Sequence, residues 1–242
     1  MLASEPRLLE RVDVEALDTV ALRLSRANPG TAKLATDRVI RELVRAAASG
    51  APGHGFTQQF LLTEWAQVVD AWQLETWEGY RDVTRLGRKT RLREDRRRTL
   101  WTIFDTVRKE LEARDLVTMS GLFSRLAKQL SKARSLPYDY AVVDEAQDVS
   151  VGQLRFLAAL GRGRPDALFF AGDLGQRIFQ QPFSWKELGV EVRGRSRTLR
   201  VNYRTSHQIR QQADRLLDIE VTDVDGNAER RKGTVSVFNG PE

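Results

Sequence analysis

At Pro137 the hydrophobic period of this chain changes, and that change constrains the fold more than any other feature. Before it, apolar residues recur at helical spacing. After it, they gather into short solid runs bounded by polar residues. In the first part, Val14, Leu17, Val20, Ala21 and Leu24 share one helical face, and Asn28-Pro29-Gly30 ends the run. A second helix carries Val39, Ile40, Leu43, Val44 and Ala47, with Asp37 placed to cap it. Ser49 to Gly55 (SGAPGHG) reads as a loop. Trp65, Val68, Val69 and Trp72 form another face behind a Thr63 cap. Leu100, Ile103, Phe104, Val107 and Leu111 form the next, and Thr118 starts a helix with Leu122, Phe123, Leu126 and Leu130.

Beyond Pro137 the runs are YAVV (Tyr140 to Val143), LFFAG (Leu168 to Gly172) and RTLRV (Arg197 to Val201). Solid apolar runs suit strands of a parallel sheet, which is covered on both faces. Ser150 caps a helix with Leu154, Leu157 and Ala158 between the first two runs, and Ser206 caps one with Ile209, Ala213 and Leu216 after the third. Strand, helix, strand is the rhythm of a parallel sheet with right-handed crossovers. Asp225-Gly226 reads as a turn and Thr234 to Phe238 as a last strand. The expected fold class is therefore α/β, a partial parallel sheet preceded by a mainly helical region.

Composition removes several alternatives. A chain of 242 residues, 41% apolar and with five Trp, can bury a real core and is no disordered tail. No apolar run approaches the roughly 20 residues that cross a bilayer. The N-terminal MLASEPRLLERVDVEAL has no apolar segment of a secretory signal, so a cytoplasmic location is the default expectation. There is no cysteine, hence no disulfide and no thiolate metal site. His54 and His207 have no partners at metal-ligand or triad spacing, and no chemistry is assigned to them. The net charge is +6, carried mostly by arginine. One arginine cluster runs from Arg81 through Arg88 and Arg91 to Arg98, a second from Arg193 to Arg204. Such patches fit a polyanion partner or a salt-bridged surface, and charge alone does not separate the two.

The residues that carry chemistry follow the first strand. VVDEAQD, Val142 to Asp148, ends an apolar run in two adjacent carboxylates, Asp144 and Glu145. In open α/β sheets ligands sit at the carboxyl ends of the strands. One carboxylate there can hold the Mg²⁺ of a nucleoside triphosphate, and a second can orient or deprotonate the attacking water. The plain alternative is a solvated polar helix entry. The rest of the chain speaks against it. VVDEAQD resembles motif II of UvrD/Rep-type superfamily 1 DNA helicases. AGDLGQRIF (Ala171 to Phe179) resembles their motif III, and LRVNYRTSHQIRQQADRLL (Leu199 to Leu217) their motif IV. The run from Tyr80 to Trp101 is similar to the helical insertion called 1B. The resemblance covers roughly Phe60 to Leu217.

That resemblance implies a partial RecA-like fold, ATP and Mg²⁺ as ligands, and single-stranded DNA or a duplex/single-strand junction as partner. Asp144 would hold Mg²⁺ and Glu145 would act as general base, also near the metal. Gln147 and Asp148 would tie this site to neighbouring motifs. Gln176 would sense the γ-phosphate. A glutamine suits that role because it offers both a donor and an acceptor. Arg204 would serve as an arginine finger and Tyr203 would stack on adenine. Phe179 would stack on a DNA base, and Trp185 would be the second such aromatic or a core residue. Arg88 and Arg91 would meet DNA phosphates. The expected divisions are 1–115 for the helical region, 116–200 for the C-terminal half of the first RecA-like domain, and 201–242 for the start of the second.

No Gly-Lys dipeptide occurs in the sequence, so it contains no GxxxxGK[ST] phosphate loop. SGAPGHG lacks that ending. In the family this loop precedes motif II, and motifs V and VI follow motif IV. The expectation is a central piece of a longer helicase, inactive by itself, with the remaining segments on the same parent chain. The alternative is a non-catalytic DNA- or protein-binding relic.

Overall fold

The structure is a computed structural model, and it describes residues 10–27, 32–84, 92–173, 182–216, 220–226, 228–230 and 234–240. The chain forms two compact units, the first within 1–83 and 92–133, the second within 84–91 and 134–242.

The first unit is helical. Its helices are α1 (Leu17–Arg26), α2 (Asp37–Ser49), α3 (Gln58–Glu64), α4 (Trp77–Asp82), α5 (Glu94–Ala113) and α6 (Met119–Leu130). The core is drawn from Leu43 and Val44, Leu61, Tyr80, and the α5 face Leu100, Ile103, Phe104, Val107 and Leu111. That α5 face is the one its spacing predicts. Threonine hydroxyls start four of these helices. Thr36, Thr57, Thr76 and Thr118 each accept the N–H three residues on. Thr36 therefore takes the place expected of Asp37, which sits one residue inside the helix. Thr63 is not a cap but lies within α3, which begins five residues earlier at Gln58.

From Trp65 to Asp70 the helix widens to a π-helix. The wider turn keeps Trp65, Val68 and Val69 all in the core. At its end Asp70 accepts the Thr118 hydroxyl and, at 2.8 Å, the Gln73 amide. Burial pushes the Asp70 carboxyl above its ordinary value, against those hydrogen bonds. Two short strands that no sequence pattern announces, β1 (Lys33–Leu34) and β2 (Leu116–Val117), pair in parallel.

The second unit is built on β3 (Ala141–Val143) and β4 (Leu168–Phe170), paired in parallel with Ala141 opposite Leu168 and Val143 opposite Phe170. The helix between them, α7 (Val151–Gly161), begins at a capping box of Ser150 and Gln153. It ends where a Cβ on Gly161 would stand 2.8 Å from Leu168 Cγ, so only glycine allows this helix–strand approach. On one face of the pair Val143 is buried, and Trp185 packs edge-on against Phe170 at 4.8 Å. On the other face Val142 and Phe169 are 76% and 63% exposed.

The third apolar run does not join this sheet. Only β5 (Val201–Asn202) forms, and it pairs in parallel with β8 (Val235–Ser236). Leu199 is 89% exposed, and Arg197 and Arg200 flank it in the open. Charges at this density leave no face that can be buried. A hairpin of β6 (Glu220–Thr222) and β7 (Ala228–Arg230) surrounds Asp225-Gly226, where Gly226 has φ +80°. In α8 (His207–Asp214) the expected apolar face is bare, with Ile209 and Leu216 beside it both exposed. Polar contacts hold the helix instead: Gln208 with Gly240, and Arg210 with Ser236 and Asp214. Among the described residues no helix is long and apolar enough to cross a membrane.

In the first unit, the fully buried Tyr80 hydroxyl donates to the equally buried Glu64 Oε1 at 2.8 Å. Tyr80→Phe removes that donor and leaves the carboxylate to be desolvated without it. Urea denaturation is expected to show a loss of about 1–3 kcal/mol.

Candidate functional site

The site is the loop that leaves β3. The parallel ladder continues past the strand ends, because Ala171 N–H donates to Val143 O and Ala146 N–H to Ala171 O, both at 2.8 Å. These two bonds pin the chain on either side of Asp144 and Glu145. The pair is therefore pushed outward, and both side chains are exposed. Glu145 turns the chain with φ +51° and ψ +42°, the left-handed region that side chains other than glycine rarely enter. Such strain persists only where the surroundings fix it, and it gathers at functional sites.

What fixes it is Gln147, which is buried. Its Nε2 donates to Glu145 Oε2 at 2.6 Å, and its Oε1 accepts the Asp173 N–H at 3.0 Å. One amide thus links the end of β3 to the segment after β4. Its orientation is forced, since the NH₂ must face the carboxylate and the carbonyl must face the N–H. Asp144 Oδ1 accepts the Glu145 N–H at 2.9 Å, and Asp148 N–H closes a tight turn onto Glu145 O.

Gly172 makes the amide fit. A Cβ there would stand 2.6 Å from Gln147 Oε1, 3.0 Å from Ala146 N and 3.1 Å from Gln147 N. Asp144 and Glu145 each keep a carboxylate oxygen with no protein partner among the described residues. Such hard oxygens suit Mg²⁺, which keeps waters and takes one or two carboxylates with substrate phosphates. No group of three His, Cys, Asp or Glu side chains that could cage a metal occurs among the described residues. The donor set thus fits a shared Mg²⁺ site and not a closed structural one.

Tyr203 and Arg204 lie elsewhere in the unit, just past β5. Asn202 Oδ1 accepts the N–H groups of both Arg204 and Thr205 at 2.9 Å, and this turn fixes the backbone there. Tyr203 is 75% exposed. Arg204 is exposed and has no acid partner among the described residues. No hydrogen bond or ion pair links either of them to Asp144 or Glu145 among the described residues. Trp185 is half-buried against Phe170, and its N–H donates to Asp225 Oδ2 at 2.7 Å. The Ser184 hydroxyl and Lys186 N–H meet the same carboxylate, and those bonds hold it below the usual range against its desolvation. Asp225 had no signal in the sequence beyond its turn. Gln176, Phe179, Arg88 and Arg91 lie outside the described residues.

Four of the described arginines of the first cluster, Arg81, Arg96, Arg97 and Arg98, are engaged within the protein. Arg81 pairs with Asp82 and Arg98 with Glu94, while Arg97 donates to Arg81 O. Arg96 lies over the Phe56 ring and Arg98 over Trp77.

Among protein families, the model of the UvrD/REP helicase N-terminal domain matches residues 13–185. That span includes the first unit from residue 13 onward and the Asp144–Gln147–Asp173 loop. No curated protein matches the chain.

Gly172→Ala is expected to displace the Gln147 amide, because two of its three close neighbours are backbone nitrogens that cannot yield. Overpacking of this kind costs about 1–3 kcal/mol. Chemical denaturation followed by far-UV circular dichroism would record the loss, and native stability in the variant would show that the amide is not held by this contact.

Proposed function

The chain belongs to the UvrD/REP helicase N-terminal domain family, and from that premise we propose that it is part of an ATP-dependent motor that moves along single-stranded DNA and opens duplexes, in repair or recombination. The observation that carries this reading is the strained Glu145, clamped by Gln147 beside Asp144 at the carboxyl end of β3. A merely solvated acid pair needs neither the strain nor the clamp.

The residues divide the work as follows. Asp144 and Glu145 would hold Mg²⁺, which when bound neutralises charge on the nucleotide phosphates. Glu145 accepts the proton of the attacking water. Gln147 fixes the Glu145 carboxylate through Oε2, leaving Oε1 for that proton. Gln176 meets the γ-phosphate. Arg204 carries no competing acid and offers a planar guanidinium to charge developing on the transferred phosphoryl group. Tyr203 stacks on adenine, for which its exposed ring is suited. Phe179 stacks on a DNA base, and Arg88 and Arg91 meet phosphates. The edge-on contact of Trp185 with Phe170 supports a packing role for that ring.

The sequence holds no Gly-Lys pair to grip phosphates, so the 242-residue chain is expected to show no DNA-stimulated ATPase. In a helicase supplied with such a loop, Glu145→Gln should stop hydrolysis and leave nucleotide binding intact. Arg204→Ala should slow hydrolysis by about 10³-fold or more. Single-turnover hydrolysis with a parallel nucleotide-binding titration checks both, and near-normal turnover in either variant would remove its assigned role.

DNA binding separates the other assignments. Arg88→Ala with Arg91→Ala should weaken binding to every sequence and reduce the single-strand salt slope by about 0.7 per lost phosphate contact. Phe179→Ala should keep the slope and lose about 1–3 kcal/mol of stacking. Titrations of single-stranded DNA at several salt concentrations distinguish these from a loss of folding, which would appear as a lowered Tm.

A further inference from the structure

A second aromatic and basic cluster lies in the first unit, at the loop for which the sequence suggested no chemistry. Phe56 and Phe60 stack with ring centroids 5.2 Å apart and planes 15° from parallel. His54 extends this stack outward at 5.8 Å and 13°. Both phenylalanines pack against the helical core, so the stack has a fixed base. His54 is half-buried and forms its outer end.

The imidazole is fixed in chemistry as well as in place. Its Nδ1 accepts the Phe56 N–H at 2.9 Å. In the neutral ring the proton then resides on Nε2, which is left as a donor with no partner among the described residues. Beside it, the Arg96 guanidinium lies 4.1 Å from the Phe56 ring centroid. This contact forms no hydrogen bond and so occupies none of the guanidinium N–H donors. Arg96 has no carboxylate or hydrogen-bond partner among the described residues, unlike Arg81 and Arg98. The loop itself stays open: Gly53 and Gly55 have φ +79° and +65°, and a Cβ on Gly53 would meet nothing within 4 Å.

A flat ring at the end of a rigid stack, a free N–H donor and an unpaired, held guanidinium together recognise a base attached to a phosphodiester. We propose that His54 and Arg96 form a contact site for one nucleotide unit of single-stranded DNA, with the base on the His54 ring and the phosphate on Arg96. The inference rests on the DNA-binding reading given above. It adds a site on the helical unit that is separate in sequence from Arg88, Arg91 and Phe179.

The test is an anisotropy titration of the full chain with a fluorescein-labelled oligothymidylate and with an abasic strand of the same length. His54→Ala is expected to weaken oligothymidylate binding roughly five-fold or more, the low end of loss of one stacked base, and to leave abasic-strand binding unchanged. Arg96→Gln is expected to weaken binding of both strands and lower the salt slope by about 0.7, while Arg96→Lys restores the slope. Imidazole NMR of the unmutated chain gives a readout that does not depend on a variant folding. With only two histidines, assignment is completed by His207→Gln. Saturating oligothymidylate is expected to shift the His54 signal. An unmoved His54 signal at saturation overturns the site, as do two variants that bind like the parent. Thymidine monophosphate producing the same shift at the same concentration assigns the site to free nucleotide and overturns the strand reading. Failure of the unmutated chain to bind any oligonucleotide would remove both this site and the DNA-binding reading, whereas intact binding with inert variants removes this site alone.

Discussion

The candidate site depends on one buried amide. Gln147 joins Glu145 on one strand exit to Asp173 on the other, and both of its ends are engaged. A buried amide with a carboxylate on one side and a backbone N–H on the other has a single workable orientation, so it transmits position and not merely attraction. The left-handed turn at Glu145 is tolerable because this bond and the Ala146–Ala171 bond hold it from two sides. Gly172 supplies the room. The acid pair is therefore shaped by the segment after β4 as much as by its own motif. Changes at positions 172 or 173 should be felt at Glu145 although neither carries the chemistry.

That arrangement rests on a small element. Two short parallel strands are marginal alone. Here they are braced on one face by α7, whose last residue Gly161 lets Leu168 approach, and by the Trp185–Phe170 contact. Trp185 is held in turn by Asp225, which takes the Ser184 hydroxyl and two successive backbone N–H groups. A single carboxylate on the β6–β7 turn thus caps the turn that carries the bracing tryptophan. The opposite face, with Val142 and Phe169 open, contributes no such support.

Much of this was legible because it depends on local chemistry. Thr118 and Ser150 announce helix starts, since a hydroxyl before an apolar-periodic run satisfies the first free N–H groups. The β3–α7–β4 unit follows from two solid apolar runs around an amphipathic one. The acids after β3 stand out because carboxylates at a strand's carboxyl end are placed where ligands bind. What stayed hidden is set by contacts distant in sequence. The need for glycine at 172 arises from Gln147, 25 positions earlier. The place of Val201 is set by Val235, its partner in register, and not by its own apolar run. The cap of α3 was misread because Thr63 looked like a start, while the helix already began behind Thr57.

Charge was the least legible property, and the reason bears on function. A run of arginines contributes an attractive field only through the members that are not already neutralised by a neighbour. Arg81, Arg98 and Arg195 have acid partners, and Arg193 donates to a backbone carbonyl. Paired ions at the surface add little to attraction at a distance. Arg197, Arg200 and Arg204 have no acid partner among the described residues, and neither does Arg96. One of these unpaired guanidiniums is also held in place, that of Arg96, whose central carbon lies 4.1 Å from the Phe56 ring centroid. An arginine that is both unpaired and pre-positioned loses little freedom on meeting a phosphate and gives up no existing bond. By that criterion the proposed recognition of phosphate does not follow the density of arginine along the sequence. It falls where a ring has fixed a guanidinium and no carboxylate has reached it.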